Sequence, residues 1–255
     1  MSQWLFDLGN SRLKCAPLDA AGELGEVRAL GHDESAFVER LRECLPDRAD
    51  SACLASVASP ALTAAVLDAL VSRFRRISIA RTQRRFAGVR IAYAEPAKLG
   101  VDRFLALLAA RARGAGPWLV AGVGTALTVD LLDADGNHRG GRIAPSPRLM
   151  REALQRAAAQ LPAQGGDYVE FAADTADALA SGCDGAAVAL VERSLRLARE
   201  ELGAAPRLLL HGGGGEALRA WLPQAEPAPS LVLQGLAIWA RAGRDRSDPP
   251  STRSP

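Results

Sequence analysis

Asp7, Lys14, Asp102, Arg103 and Thr125 are residues whose types and settings suit them for chemistry. Trp4-Leu5-Phe6 leads into Asp7, the small-residue turn Gly9-Asn10-Ser11 follows, and Lys14 comes next. A glycine turn between strands bares backbone N–H groups with no side chain in the way, which suits an anion. Asp7 beside it can hold Mg²⁺ directly or through water, because magnesium favours carboxylate and phosphate oxygens. Lys14 adds a point charge toward phosphate. A plain turn with a capping Asp explains the same stretch equally well. A second small-residue turn, Gly124-Thr125-Ala126, follows another apolar run. Two such turns facing each other can grip a polyphosphate from both sides. A third, His211 with Gly212 to Gly215, suits close approach by a flat adenine or ribose, or simply a tight strand-to-helix connection. Neither the P-loop pattern nor a strand-linked G-x-G-x-x-G is present, so a nucleotide site here needs another architecture. Asp102-Arg103 opens a Leu- and Ala-rich segment; on these residues alone, a helix cap followed by a solvated arginine is the simpler reading. His32, His138 and His211 stand isolated and receive no ligand role.

The elements that must position these residues alternate along the chain. Strands are expected over 3–8, 13–19, 52–58, 77–80 and 89–93. Helices are expected from Phe37 to Pro46, from Ser59-Pro60 to about Phe74, and from Val101 to Arg113. After Gly114-Ala115-Gly116-Pro117 the pattern restarts. "WLVAGVGTALTVDLLDADG" sits beneath "WLFDLGNSRLKCAPLDAAG": each has Trp-Leu, a small-residue turn, a second strand and a hairpin turn. This reads as an internal repeat. Beyond it come a helix from Ser146-Pro147 to about Leu161, a strand at 167–171, a helix from about Asp184 to Leu202, a strand entering a glycine turn over 207–215 and a closing helix over "LVLQGLAIWARA". The expected division is a first half over 1–116, a second over 117–242 and a disordered polar tail over 243–255.

Bulk properties narrow the partners. The net charge of +2 gives no global reason to expect nucleic acid or an anionic membrane. No apolar run approaches the roughly 20 residues of a membrane-spanning helix. There is no secretory signal pattern. Cys15, Cys44, Cys53 and Cys183 are scattered without a C-x-x-C pair, as expected of reduced thiols in a cytoplasmic protein.

"DLGNSRLK", "GVDRFLALLAAR", "GTALTVD", "GGRIAPSPRLMREAL" and "HGGGG", in this order across about residues 3–240, resemble the type III pantothenate kinase family. The resemblance implies an α/β fold of the actin-like and sugar-kinase-like superfamily. In it, two ribonuclease H-like halves, each a mixed β-sheet flanked by helices, hold ATP in a cleft between them. It implies ATP-dependent phosphorylation of the 4′-hydroxyl of pantothenate, the first step toward coenzyme A, by a homodimer using Mg²⁺ and a monovalent cation, potassium or ammonium. Asp7, Leu8, Gly9, Asn10, Ser11, Arg12, Leu13 and Lys14 match the first phosphate motif, and Thr125 matches the ATP-binding threonine of the second. Asp102 matches the general base. Gly100, Val101, Asp102 and Arg103 match the pantothenate-binding segment, joined by Tyr93 and by Thr175 from the partner subunit's side of the site. Asp102 at a helix start would be favoured in its ionised form by the helix dipole, and Arg103 suits the pantothenate carboxylate.

Two positions depart from the family pattern. Gly122 stands where the second phosphate motif usually has the acid that binds the monovalent cation, and Pro145-Ser146 replaces a Pro-Gly. The expectation is a weaker dependence on potassium or ammonium. Either backbone carbonyls and water hold a loose ion, or a basic group such as Arg142 supplies the charge. Two other functions remain open at this stage. One is a different small-molecule kinase of the superfamily; the other is a non-catalytic regulatory protein that keeps an ATP-like cleft.

Overall fold

The computed structural model describes residues 2–32 and 36–245. The chain forms two compact units. One comprises the residues up to Ala112 together with those from Ser230 onward, and the other spans Arg113–Pro229.

The first unit is built on five strands, β1 (Gln3–Leu8), β2 (Arg12–Leu18), β3 (Arg28–Gly31), β4 (Ala49–Ser56) and β5 (Phe74–Ile79), in the order β3-β2-β1-β4-β5. β1 runs antiparallel to β2 and parallel to β4. Alternation decides the faces. Phe6, Leu8, Leu13, Cys15, Ala52 and Leu54 point into a core covered by α1 (Phe37–Cys44) and α2 (Pro60–Val71). Asp7, Lys14 and Ala55, register partners on adjacent strands, take the opposite face. α2 starts where Ser59 Oγ accepts from Leu62 N with Pro60 in the first turn, but it stops at Val71. Phe74 turns inward and opens β5, three residues earlier than the strand expected at Ile77.

The expected strand over 89–93 shrinks to the pair β6 (Arg85–Phe86) and β7 (Val89–Arg90), joined through a turn with Ala87 and Gly88 at positive φ. α3 (Val101–Ala112) follows a short 3₁₀ turn at Pro96–Lys98.

The second unit repeats the plan. β8 (Trp118–Val123), β9 (Ala126–Leu132), β10 (His138–Pro145), β11 (Arg207–His211) and β12 (Ala225–Pro227) take the order β10-β9-β8-β11-β12. Again the first strand is antiparallel to the second and parallel to the fourth. The duplication suggested by the two Trp-Leu stretches is a duplication of topology. α4 (Pro147–Ala157) begins at the Ser146 cap and ends four residues short of Leu161. α5 (Thr175–Leu202) begins nine residues before Asp184, because Asp174 caps it by accepting from Ala176 N and Asp177 N. Residues 167–171 form no strand: the Asp177 and Ser181 side chains accept from the N–H groups of Asp167 and Val169, so the segment lies along α5. α6 (Gly215–Arg219) links β11 to β12.

The closing helix α7 (Leu231–Asp245) corrects the expected boundary. It does not complete the second half but packs on α3 and on β1, β2 and β4 of the first unit. Gly235 makes this close crossing fit, since a side chain there would strike the Leu105 carbonyl of α3. The expected tail begins inside this helix; from 246 onward it lies outside the described residues. Among the described residues no helix is long and apolar enough to cross a membrane.

Candidate active site

Asp7 is the last residue but one of β1, immediately before the turn in which Gly9 N donates to Arg12 O. Its cross-strand partner is Lys14. Asp102 lies in the first turn of α3, where Gly100 O accepts from Phe104 N and Asp102 Oδ1 accepts from Arg103 N at 2.8 Å. A Cβ at Gly100 would lie 2.6 Å from Asp102 Oδ1, so a larger residue there would displace that carboxylate.

The two carboxylates are close enough to feel each other. Burial above all, with the Asp102 charge adding to it, pushes the Asp7 carboxyl up to about 7, while Lys14 opposes the shift. Burial likewise holds Lys14 below the ordinary lysine value; Asp7 resists this and Arg12 reinforces it. A raised carboxyl facing a second carboxylate marks a place short of positive charge. Mg²⁺ fits such a place. Among the described residues no three metal-ligating side chains cluster, so the ion would take its other ligands from phosphate and water, as magnesium usually does.

Beside this pair, Arg103 is buried and donates from Nη1 to Tyr93 Oη at 3.4 Å, its guanidinium 6.0 Å from the ring centre. The first unit therefore brings together Asp7, Lys14, Asp102, Arg103 and Tyr93, and the solvated arginine expected from the residues alone is replaced by a buried, oriented one. Sequence reasoning missed His32, whose ring Nε2 lies 3.0 Å from Gly9 O and whose N–H reaches Ser11 O. The turn is thus pinned from the end of β3. The contact spans 23 residues and carries no local signal.

In the second unit, Gly124 N donates to Ala126 O, and Ser146 Oγ donates to Thr125 O at 2.9 Å while capping α4. Thr125 is thereby held on a turn fixed to a helix start. The glycines after His211 answer to packing. Gly212 has positive φ and backs onto the Val123 carbonyl, Gly214 N donates to that same carbonyl, and a Cβ at Gly214 would lie 2.8 Å from Val123 Cγ1. Tight connection, the blander of the two readings, accounts for both. Thr175 is exposed at the start of α5, which belongs to the second unit. His138 is buried against Asp130, Nε2 to Oδ1 at 3.0 Å.

The model of the type III pantothenate kinase family matches residues 4–197. A relative from Stenotrophomonas maltophilia named type III pantothenate kinase is 61% identical over 240 residues, covering 94% of this chain and 98% of its own. The chain belongs to the type III pantothenate kinase family. Solved structures extend the likeness in fold. A Campylobacter jejuni protein assigned to the Baf family of transcriptional activators superposes with a TM-score of 0.62 at 19% identity, over 95% of this chain and 99% of the other. A Sinorhizobium meliloti protein assigned as a 2-dehydro-3-deoxygalactonokinase gives 0.56 at 16%, over 94% and 98%. At these identities the likeness speaks to fold alone. It places this pantothenate kinase family member on a duplicated α/β plan in common with these two proteins.

Proposed function

We propose that this chain is an ATP-dependent pantothenate kinase that phosphorylates the 4′-hydroxyl of pantothenate, with Asp102 as general base. The observation that carries the reading is the convergence of Asp7, Lys14, Asp102 and the Tyr93–Arg103 pair at the strand ends and helix start of one unit. Phosphoryl transfer asks the protein mainly for positioning and charge neutralisation. Residues 7–14 and the turn carrying Thr125 bind the phosphates of ATP. Asp7 would hold Mg²⁺, which would supply positive charge to the phosphate oxygens. The hydroxyl proton of pantothenate passes to the Asp102 carboxylate as its oxygen bonds to the γ-phosphorus and the bond to ADP breaks. Arg103, oriented by Tyr93, receives the pantothenate carboxylate, with Gly100 and Val101 shaping the helix start around it.

Thr175 serves the site of a partner subunit in a homodimer. The second unit also exposes several large apolar side chains, which suits a protein partner: Ile143 is 66% exposed, Leu154 45%, Val169 41% and Phe171 96%. The proposed setting is the cytoplasm.

The test is ADP release from ATP and Mg²⁺ that depends on pantothenate. Asp102→Asn should keep the fold and the KM for both substrates and lower kcat by about 10²–10⁴, the usual worth of a general base. Near-normal turnover in that variant would leave Asp102 a helix cap.

A further inference from the structure

The two sheets can be laid over each other rung by rung. In the first, Asp7 faces Lys14 on β2 and Ala55 on β4. The same three positions in the second are Gly122, Thr128 on β9 and His211 on β11. The first sheet places an acid on its central strand and a methyl group beside it. The second places a bare backbone on the central strand and an imidazole beside it.

Gly122 is bare for a reason. A Cβ there would lie 2.7 Å from His211 Nε2, 2.9 Å from His211 Cε1 and 2.9 Å from Thr128 Oγ1. The ring lies across the position where any side chain of residue 122 would begin. His211 and Gly122 are therefore a matched pair: an acid at 122 requires the imidazole to leave.

The family resemblance implies a monovalent cation held by that acid. The residues on this sheet do not fit one. Potassium and ammonium need several oxygen ligands to give up water, and the anionic ligand supplies most of the attraction. These rungs offer an imidazole, a hydroxyl and no carboxylate. Arg142, the other candidate source of charge, is on the opposite face: it neighbours Val129, which packs in the core beneath α5, and it donates to Ser194 Oγ at 2.8 Å.

We infer that the nucleotide site of this kinase works without a resident monovalent cation, the His211 imidazole standing beside the second phosphate turn where the cation's carboxylate ligand would be. The inference rests on the reading of the Gly124-Thr125 turn as a phosphate site. His211, on β11, pairs with Gly122, two residues before Gly124, and on this reading is a positioning residue for the phosphates.

The experiment is calorimetric binding of a non-hydrolysable ATP analogue with Mg²⁺ in sodium, potassium and ammonium chloride at matched ionic strength, alongside pantothenate-dependent ADP release in the same salts. The affinities and rates should agree within about twofold, because no ion-specific ligand set is completed. Saturable tightening or activation of about tenfold or more by potassium or ammonium over sodium overturns the inference. Binding in no salt overturns the phosphate-site reading itself, a distinguishable failure. His211→Ala should raise the KM for ATP about five- to tenfold and leave the KM for pantothenate unchanged; a variant that moves both equally, or neither, assigns His211 to packing alone. The double change Gly122→Asp with His211→Ala should bring in a potassium-dependent analogue affinity. If that variant folds and shows the wild-type salt profile, the acid and the imidazole are not alternatives and the inference fails.

Discussion

Asp7 burdens the empty protein before it helps the loaded one. Its carboxyl titrates near 7 in the folded chain against 3.8 in the open reference. Between those values the folded state holds a proton that the unfolded state has released. Stability therefore falls as pH rises from about 4 to about 7 and is flat above. Asp7→Asn removes the titration. Relative to wild type, the nucleotide-free variant should gain several degrees in Tm at pH 8 and little at pH 4.5, while losing magnesium-dependent nucleotide binding. An equal difference at both pH values would mean that Asp7 does not titrate in this window. Asp7 and Lys14 were legible as a pair because one turn separates them and strand alternation puts both on one face. His32 and His211 were not. Each does its work against a glycine far away in the chain, Gly9 in the first turn and Gly122 on β8, and nothing near either histidine in the chain announces the meeting.

At the scale of elements, the long apolar strands and the capped helices were readable, and the short edges were not. β3 and β12 are four and three residues long, each with a single buried residue, and exist because a longer neighbour offers them a ladder. The start of α5 was missed although its cap, Asp174, stands in plain view, because the apolar rhythm strengthens only further along. Gly235 illustrates what patterning alone leaves out. Inside a helix a glycine reads as a weakness, yet here it is the point at which α7 meets the backbone of α3. Gly235→Ala should therefore cost about 1–3 kcal/mol despite the better helix propensity of alanine. At this chain length that is a fall in Tm of roughly 2–4 °C per kcal/mol. A variant as stable as wild type would show that the crossing yields without strain.

For the whole molecule, the exposed side chain of Phe171 offers a direct test of the proposed homodimer. Phe171→Asp should shift sedimentation toward the monomer and lower activity at dilute protein, with recovery as concentration rises. A monomeric wild-type protein with full activity would remove Thr175 from the site. The topology was legible as a repeat, but its ownership was not, because a closing helix read from sequence carries no mark of which sheet it will cover. That ownership bears on how the protein is made. The unit spanning Arg113–Pro229 is one uninterrupted length of chain, whereas the other waits for Leu231, Leu233 and Leu236, all buried to 0% exposure, before its sheet face is covered. On a ribosome, the half translated first should be the half finished last, open to proteases and chaperones until the end of the message is read. Nascent chains stalled just before residue 230 should show a protease-resistant Arg113–Pro229 fragment beside a digested N-terminal region, and in full-length released chains the N-terminal region should resist as well.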